Sequence, residues 1–172
     1  PSDSAVATSD YVLGLRRSVM VNISYCALCQ NHPVRALEFA QRLLNSVKNS
    51  NVETATTQYL AHMYAAEALC MMNNSAEALT HITKAAEVEE NLKSSKGAVS
   101  SETNDQEDSA ESRTPLIGVA GEPQPEVYRL ALCVNMATVR LQQGELELAE
   151  ESLKKALSIR PSSKEALNTL LY

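Results

Sequence analysis

Residues 58–85 read "QYLAHMYAAEALCMMNNSAEALTHITKA". Nearly every residue is a good helix former, and the polar "NNS" at 73–75 divides the stretch in two. Alanine stands where a core helix normally carries leucine. Ala61, Ala65, Ala66 and Ala68 fill the first half; Ala76, Ala78, Ala85 and the following Ala86 punctuate the second. Two helices with so little bulk on their contact faces can bring their backbones close together.

The same pattern returns elsewhere. "RALEFAQRLL" (35–44), the segment from Ala76 to Ala85, and "ELAEESLKKA" (147–156) each carry three packing residues at steps of four and three. The triplets are Ala36/Ala40/Leu43, Ala78/Ile82/Ala85 and Ala149/Leu153/Ala156. Such steps keep three side chains on one helix face. Another helical segment precedes each triplet: Val12 to Gln30, Thr54 to Met72 and Glu126 to Gln143. Polar turns join the two members of each pair, "QNHP" at 30–33, "NNS" at 73–75 and "QQGE" at 142–145. Small residues at matched crossing points, in three segments, predict tight packing in series. A leucine at Ala78 would overfill such a contact, at about 1–3 kcal/mol.

A helix–turn–helix repeated three times resembles the tetratricopeptide repeat. The third copy matches best, through Ala137, Gly144, Ala149, Leu153, Ala156 and Pro161. Arg140 and Cys133 stand where that pattern carries tyrosine and tryptophan. The second copy lacks the glycine and the proline. The first has Ala40 and Leu43 where the pattern prefers large, then small. The resemblance implies an all-α, tetratricopeptide-type α-solenoid of three helix pairs plus a truncated C-terminal helix over Lys164 to Tyr172.

Spacing between the copies is uneven. Ala36 to Ala78 is 42 residues, and Ala78 to Ala149 is 71. The excess in the second interval falls at 93–124. Its segment 101–112, "SETNDQEDSAES", holds five acids and no base. Too little apolar surface is available there to offset chain entropy, so a disordered acidic insertion is expected. A disordered lead over 1–9 is expected too, with the repeat domain spanning 10–172.

Composition limits the function classes. The chain has 172 residues, 44% hydrophobic content and a net charge of −6. An acidic balance disfavours general nucleic-acid binding, because phosphate neutralisation needs a basic surface. Arg16, Arg17, Arg35 and Arg42 form the one cluster that could serve as an RNA patch. No apolar run approaches a membrane span, so no membrane role is expected. The sequence lacks an initiator methionine and ends in helix-like residues, and it reads as a fragment of something longer. Cys26-Ala-Leu-Cys29 has C-x-x-C spacing, but a zinc site would want a second ligand pair, and His32, His62, His81 and Cys70 are scattered. The cysteines are expected as buried free thiols, and the histidines as surface or groove residues, although His62 and His81 lie on different helices of one pair and could approach each other. No catalytic motif is present, so neither enzymatic activity nor a cofactor is expected.

In a solenoid of this kind the first helix of each pair lines a concave face. By register, that face would carry Val21, Tyr25, Leu60, Met63, Tyr64, Met71, Val134, Thr138 and Leu141 as a candidate partner groove. Such an apolar surface suits a helix or extended segment of another protein.

A closer resemblance covers nearly the whole chain from about Tyr11. "YLAHMYAAEAL", "EALTHI", the preceding "HPVRALEFAQRLL" and the later "VNMATVRLQQGELELAEESLKKAL" are similar to the C-terminal region of the tenth-subunit family of the carbon-catabolite-repression–NOT mRNA deadenylase complex. That resemblance implies a non-catalytic scaffold that pairs with subunit 11, and through it with the large scaffold subunit 1. It further implies a part in poly(A) shortening, mRNA decay and translational repression, in both cytoplasm and nucleus.

Overall fold

The computed structural model describes residues 3–47, 52–96 and 125–171. Among the described residues seven helices follow in chain order: α1 (Asp3–Cys29), α2 (Pro33–Ser46), α3 (Val52–Met71), α4 (Ser75–Lys96), α5 (Pro125–Gln142), α6 (Leu146–Ile159) and α7 (Lys164–Leu170). Among the described residues there is no strand. The α1/α2, α3/α4 and α5/α6 pairs are the three expected repeats, and α7 is the C-terminal helix. Helix α1 begins at Asp3, so the lead expected to be unstructured over 1–9 is helical from that residue. Alanines at 5 and 7 let an established helix propagate at little cost. Helix α4 likewise runs to Lys96, past the expected start of the acidic insertion. Residues 97–124, where the rest of that insertion falls, lie outside the described residues.

Why each pair turns where it does is visible in the backbone. Asn31, Asn73 and Gly144 all have positive φ, at 58°, 58° and 77°. They are 42 and 71 residues apart, the same intervals as the alanine triplets. The left-handed conformation favours glycine and, among other residues, asparagine most nearly tolerates it. Each turn closes with the same two bonds. The amides of Asn31, Asn73 and Gly144 donate to the carbonyls of Leu28, Cys70 and Leu141. Those of His32, Asn74 and Glu145 donate to Ala27, Leu69 and Arg140. This pattern satisfies the last carbonyls of the first helix and reverses the chain. The second helices then start with local devices: Pro33 at the first turn of α2, and Asn74 exchanging hydrogen bonds with Glu77 at the start of α4.

All nine residues of the three triplets are buried, none more than 2% exposed. The first helix of each pair meets them with an equally small residue. Ala66 and Ala137 are 0% exposed, and Ser24, also 0%, donates its hydroxyl to the Ala36 carbonyl at 2.9 Å. A serine fits that crossing because its polar atom has a partner on the helix it touches. Ala78→Leu should therefore lower stability by about 1–3 kcal/mol, read as a shift in the denaturant midpoint with an unchanged slope.

Consecutive helices pack on one another throughout. The odd helices also touch in series, α1 on α3, α3 on α5 and α5 on α7. Among the described residues the even helices do not approach one another in this way. A stack whose first helices touch while its second helices splay apart is curved, with α1, α3 and α5 on the inside.

Candidate partner-binding groove

The inner face is built by register from equivalent rows of α1, α3 and α5. Tyr25, Glu67 and Thr138 occupy one row; Cys29, Met71 and Gln142 occupy the next. Tyr25 and Met71 are each 38% exposed. The Tyr25 ring lies 6.1 Å from that of Tyr64, which is half-buried and bridges α1 to α3. Leu60 beside it is half-buried as well. These side chains give the α1/α3 part of the face a Tyr- and Met-bearing floor.

Glu67 stands in the middle of this floor. Its accessible surface is open, yet protein flanks it closely, as a concave wall requires. Desolvation raises its carboxyl pKa above the ordinary range. Burial also lifts the Tyr64 hydroxyl far above the usual tyrosine range, with Tyr25 and Glu67 adding to it. The Cys70 thiol is pushed up to about 11 by desolvation and then by Glu67. A raised thiol pKa makes Cys70 an inert packing group rather than a nucleophile.

Two of the nine groove candidates belong to the core instead. Val21 is 2% exposed and packs with Met20, Leu43 and Ala61; Met63 is 4% exposed and packs with Tyr59, Ala85 and Val88. Their register places them on the first helix's inner half. The neighbouring helix pair reaches over that half and closes it. Val134 and Leu141 are half-buried against the α5/α6 core. The Thr138 hydroxyl donates to the Val134 carbonyl one turn back. Gln142 is spent on structure, donating to the Cys70 carbonyl at 3.0 Å and tying α5 to α3. The open part of the groove therefore centres on Tyr25, Leu60, Tyr64, Glu67 and Met71.

Other expectations resolve differently. Cys26 and Cys29 are exposed on α1, not buried; only Cys70 is buried, and Cys133 is half-buried. His62 and His81 are not surface groups either. His62 is 6% exposed, and its Nδ1 lies 3.0 Å from Nδ1 of the half-buried His81 inside the α3/α4 pair. Among the described residues no group of three or more His, Cys, Asp or Glu is placed to hold a metal ion. No described helix is long and apolar enough to cross a membrane. The arginine cluster is divided: Arg17 donates to the Ser46 carbonyl and Arg42 pairs with Glu38. Arg140, standing where the repeat pattern has a tyrosine, donates to the Leu148 carbonyl and the Ser152 hydroxyl. It bridges α5 to α6 by polar contact, a role its position in the pattern did not signal.

Three stacked helix pairs with the same turn bonds, small crossing residues and an open inner face define a tetratricopeptide-repeat protein. The chain belongs to the CNOT10 tetratricopeptide repeat domain family, whose model matches residues 14–172. It is similar to CCR4-NOT transcription complex subunit 10-B of Xenopus laevis, 28% identical over 155 residues. It is also 28% identical to CCR4-NOT transcription complex subunit 10 of Danio rerio, and 27% to subunit 10-A of Xenopus laevis. Each match covers 86% of this chain and 19–23% of the relative. The chain thus spans about a fifth of the length of these curated relatives. No solved structure matches it.

Proposed function

We propose that this domain is a non-catalytic protein-binding scaffold of the CCR4-NOT complex. Its relatives carry the name of a subunit of that complex, and the stacked helix pairs of this chain present an open inner face. The observation that carries the reading is the open floor formed by Tyr25, Tyr64 and Met71, beside rows that are packed shut. Aromatic and methionine side chains in a groove accept an apolar helix or strand of a partner. Subunit 11 is the proposed partner, with attachment through it to scaffold subunit 1. The work served would be poly(A) shortening, mRNA decay and translational repression, in cytoplasm and nucleus. RNA contact is the weaker reading, because two of the four clustered arginines are already engaged and the groove centre bears Glu67.

The test is co-purification with subunit 11, followed by the Tyr25→Glu, Met71→Glu double variant. Both side chains are partly exposed, so helicity and thermal midpoint should hold. Affinity should fall about 100-fold or more, as for two groove anchors replaced by charge. Absence of any complex subunit from the purified wild-type assembly would refute the reading. Undiminished affinity of the double variant would move the interface elsewhere.

A further inference from the structure

Helix α3 turns one stripe toward the groove: Leu60, Tyr64, Glu67 and Met71, at steps of four, three and four. A carboxylate thus sits in the middle of an apolar and aromatic row. Glu67 is exposed, and it makes no hydrogen bond and no ion pair with any described residue. Polar side chains near it in register are spent elsewhere. Thr138, in its row on α5, donates to the Val134 carbonyl, and Gln142 in the next row donates to the Cys70 carbonyl. Desolvation pushes the Glu67 carboxyl toward its neutral form, and no cation offsets that push. Glu38 on α2 and Glu150 and Glu151 on α6 differ, because each pairs with a base four residues along its own helix. A partner closing over the α3 stripe would take the Glu67 carboxylate out of water. Without an opposite charge to meet it, that desolvation opposes binding.

We propose that the occupant of the groove is an amphipathic helix of a partner protein, which seats an arginine or lysine on Glu67 and lays apolar side chains on Leu60, Tyr64 and Met71. This rests on the groove being the partner surface, and it adds the chemistry of what binds there. Leu60 to Met71 spans about 16 Å, or roughly three helical turns. The occupant therefore needs three turns, apolar toward both ends and cationic at the centre, on one face. Arginine suits the central position best. Its planar guanidinium can meet both carboxylate oxygens and also lie against a tyrosine ring, and Tyr64 and Tyr25 are the rings at hand. A wholly apolar helix would leave the carboxylate buried and unpaired. An acidic peptide or an RNA phosphate would meet like charge at the centre of the groove. The chain's net charge of −6 also draws a basic segment in at long range.

A displayed library of three-turn helical peptides, randomised along one face, probes the groove without a named partner. Selection is made on the 172-residue chain, and peptides that the Tyr25→Glu, Met71→Glu double variant still binds are discarded. The binders that remain should carry arginine or lysine at the central position, several-fold above its frequency in the library. Glu67→Gln keeps the shape of the side chain, so helicity and thermal midpoint should hold. It should weaken those peptides about tenfold or more and flatten the salt dependence of their binding. Glu67→Lys should weaken them about 100-fold or more, and a glutamate at the centre of the peptide should restore the affinity. Binders without a central cation, or binders that Glu67→Gln holds as tightly or more tightly, would overturn the inference and leave the groove standing as the partner surface. A library that yields no binder sensitive to the double variant would remove both.

Discussion

Tyr59→Ala should remove about 3–5 kcal/mol of folding stability, a large share of what a domain of this size has to lose. Tyr59 is the largest fully buried side chain among the described residues, 1% exposed. Its ring meets that of Tyr128 edge-on at 4.7 Å, and its hydroxyl donates to the Tyr128 carbonyl at 2.6 Å. Burial drives the hydroxyl pKa far upward, so the group stays a neutral donor at any working pH. Tyr59 sits in α3 and Tyr128 in α5, on either side of the insertion. Their contact is one of those that fasten the third repeat to the second. Truncation removes the transfer energy, leaves a cavity and breaks the ring pair at once. Tyr59→Phe keeps the ring and loses one hydrogen bond, so it should cost about 1 kcal/mol. Chemical denaturation of the two variants measures the difference. Hydrogen exchange should show α5 and α6 opening before α1 and α2 in Tyr59→Ala. A loss below 1 kcal/mol in that variant would mean the α3–α5 junction is held by other contacts.

The second large effect is on pH. His62 has its pKa lowered to about 4, first by desolvation, then by His81 and Lys84. His81 is lowered as well, by desolvation and Lys84, with Glu77 opposing. Their Nδ1 atoms face each other, so one ring donates a proton to the other. Charging both would set two donors face to face. The unfolded chain takes up a proton near pH 6.5, whereas the folded chain resists until about pH 4. Below pH 6.5 the unfolded state therefore binds more protons, and stability falls as pH falls. The full contribution of His62 between those limits is about 3 kcal/mol. Glu67 acts with the opposite sign, because its folded pKa is raised. The carboxylates whose folded pKa is lowered, Glu150, Glu151 and Glu165, act only at the acid end. Urea midpoints measured from pH 7.5 to pH 4.5 should decline in the wild type and decline less in His62→Leu. Parallel profiles would show that the histidine pair is not what titrates.

The repeat itself was legible before any coordinates. Ala36, Ala78 and Ala149 recur at crossing points because backbones can meet closely only where side chains are small, and that demand is local enough to leave a mark at fixed spacing. The turns at Asn31, Asn73 and Gly144 were legible for the same reason, since few residues tolerate a left-handed backbone. The site was legible only in part. Register assigns Val21, Tyr25, Met63 and Met71 to the first helices' inner half, but it carries no information about how far the next pair overlaps. Val21 and Met63 are closed by that overlap, whereas Tyr25 and Met71 remain open. His62 and His81 are 19 residues apart, on two helices, and only the close antiparallel packing of α3 on α4 brings their rings together.

Sequence alone determined which residues share a face and where the chain reverses, because those properties arise within one helix or one turn. Only the tertiary structure decided which faces are covered, since covering depends on the angle and overlap of neighbouring pairs. That overlap is a sum over many contacts between segments distant in the chain, and no single residue records it.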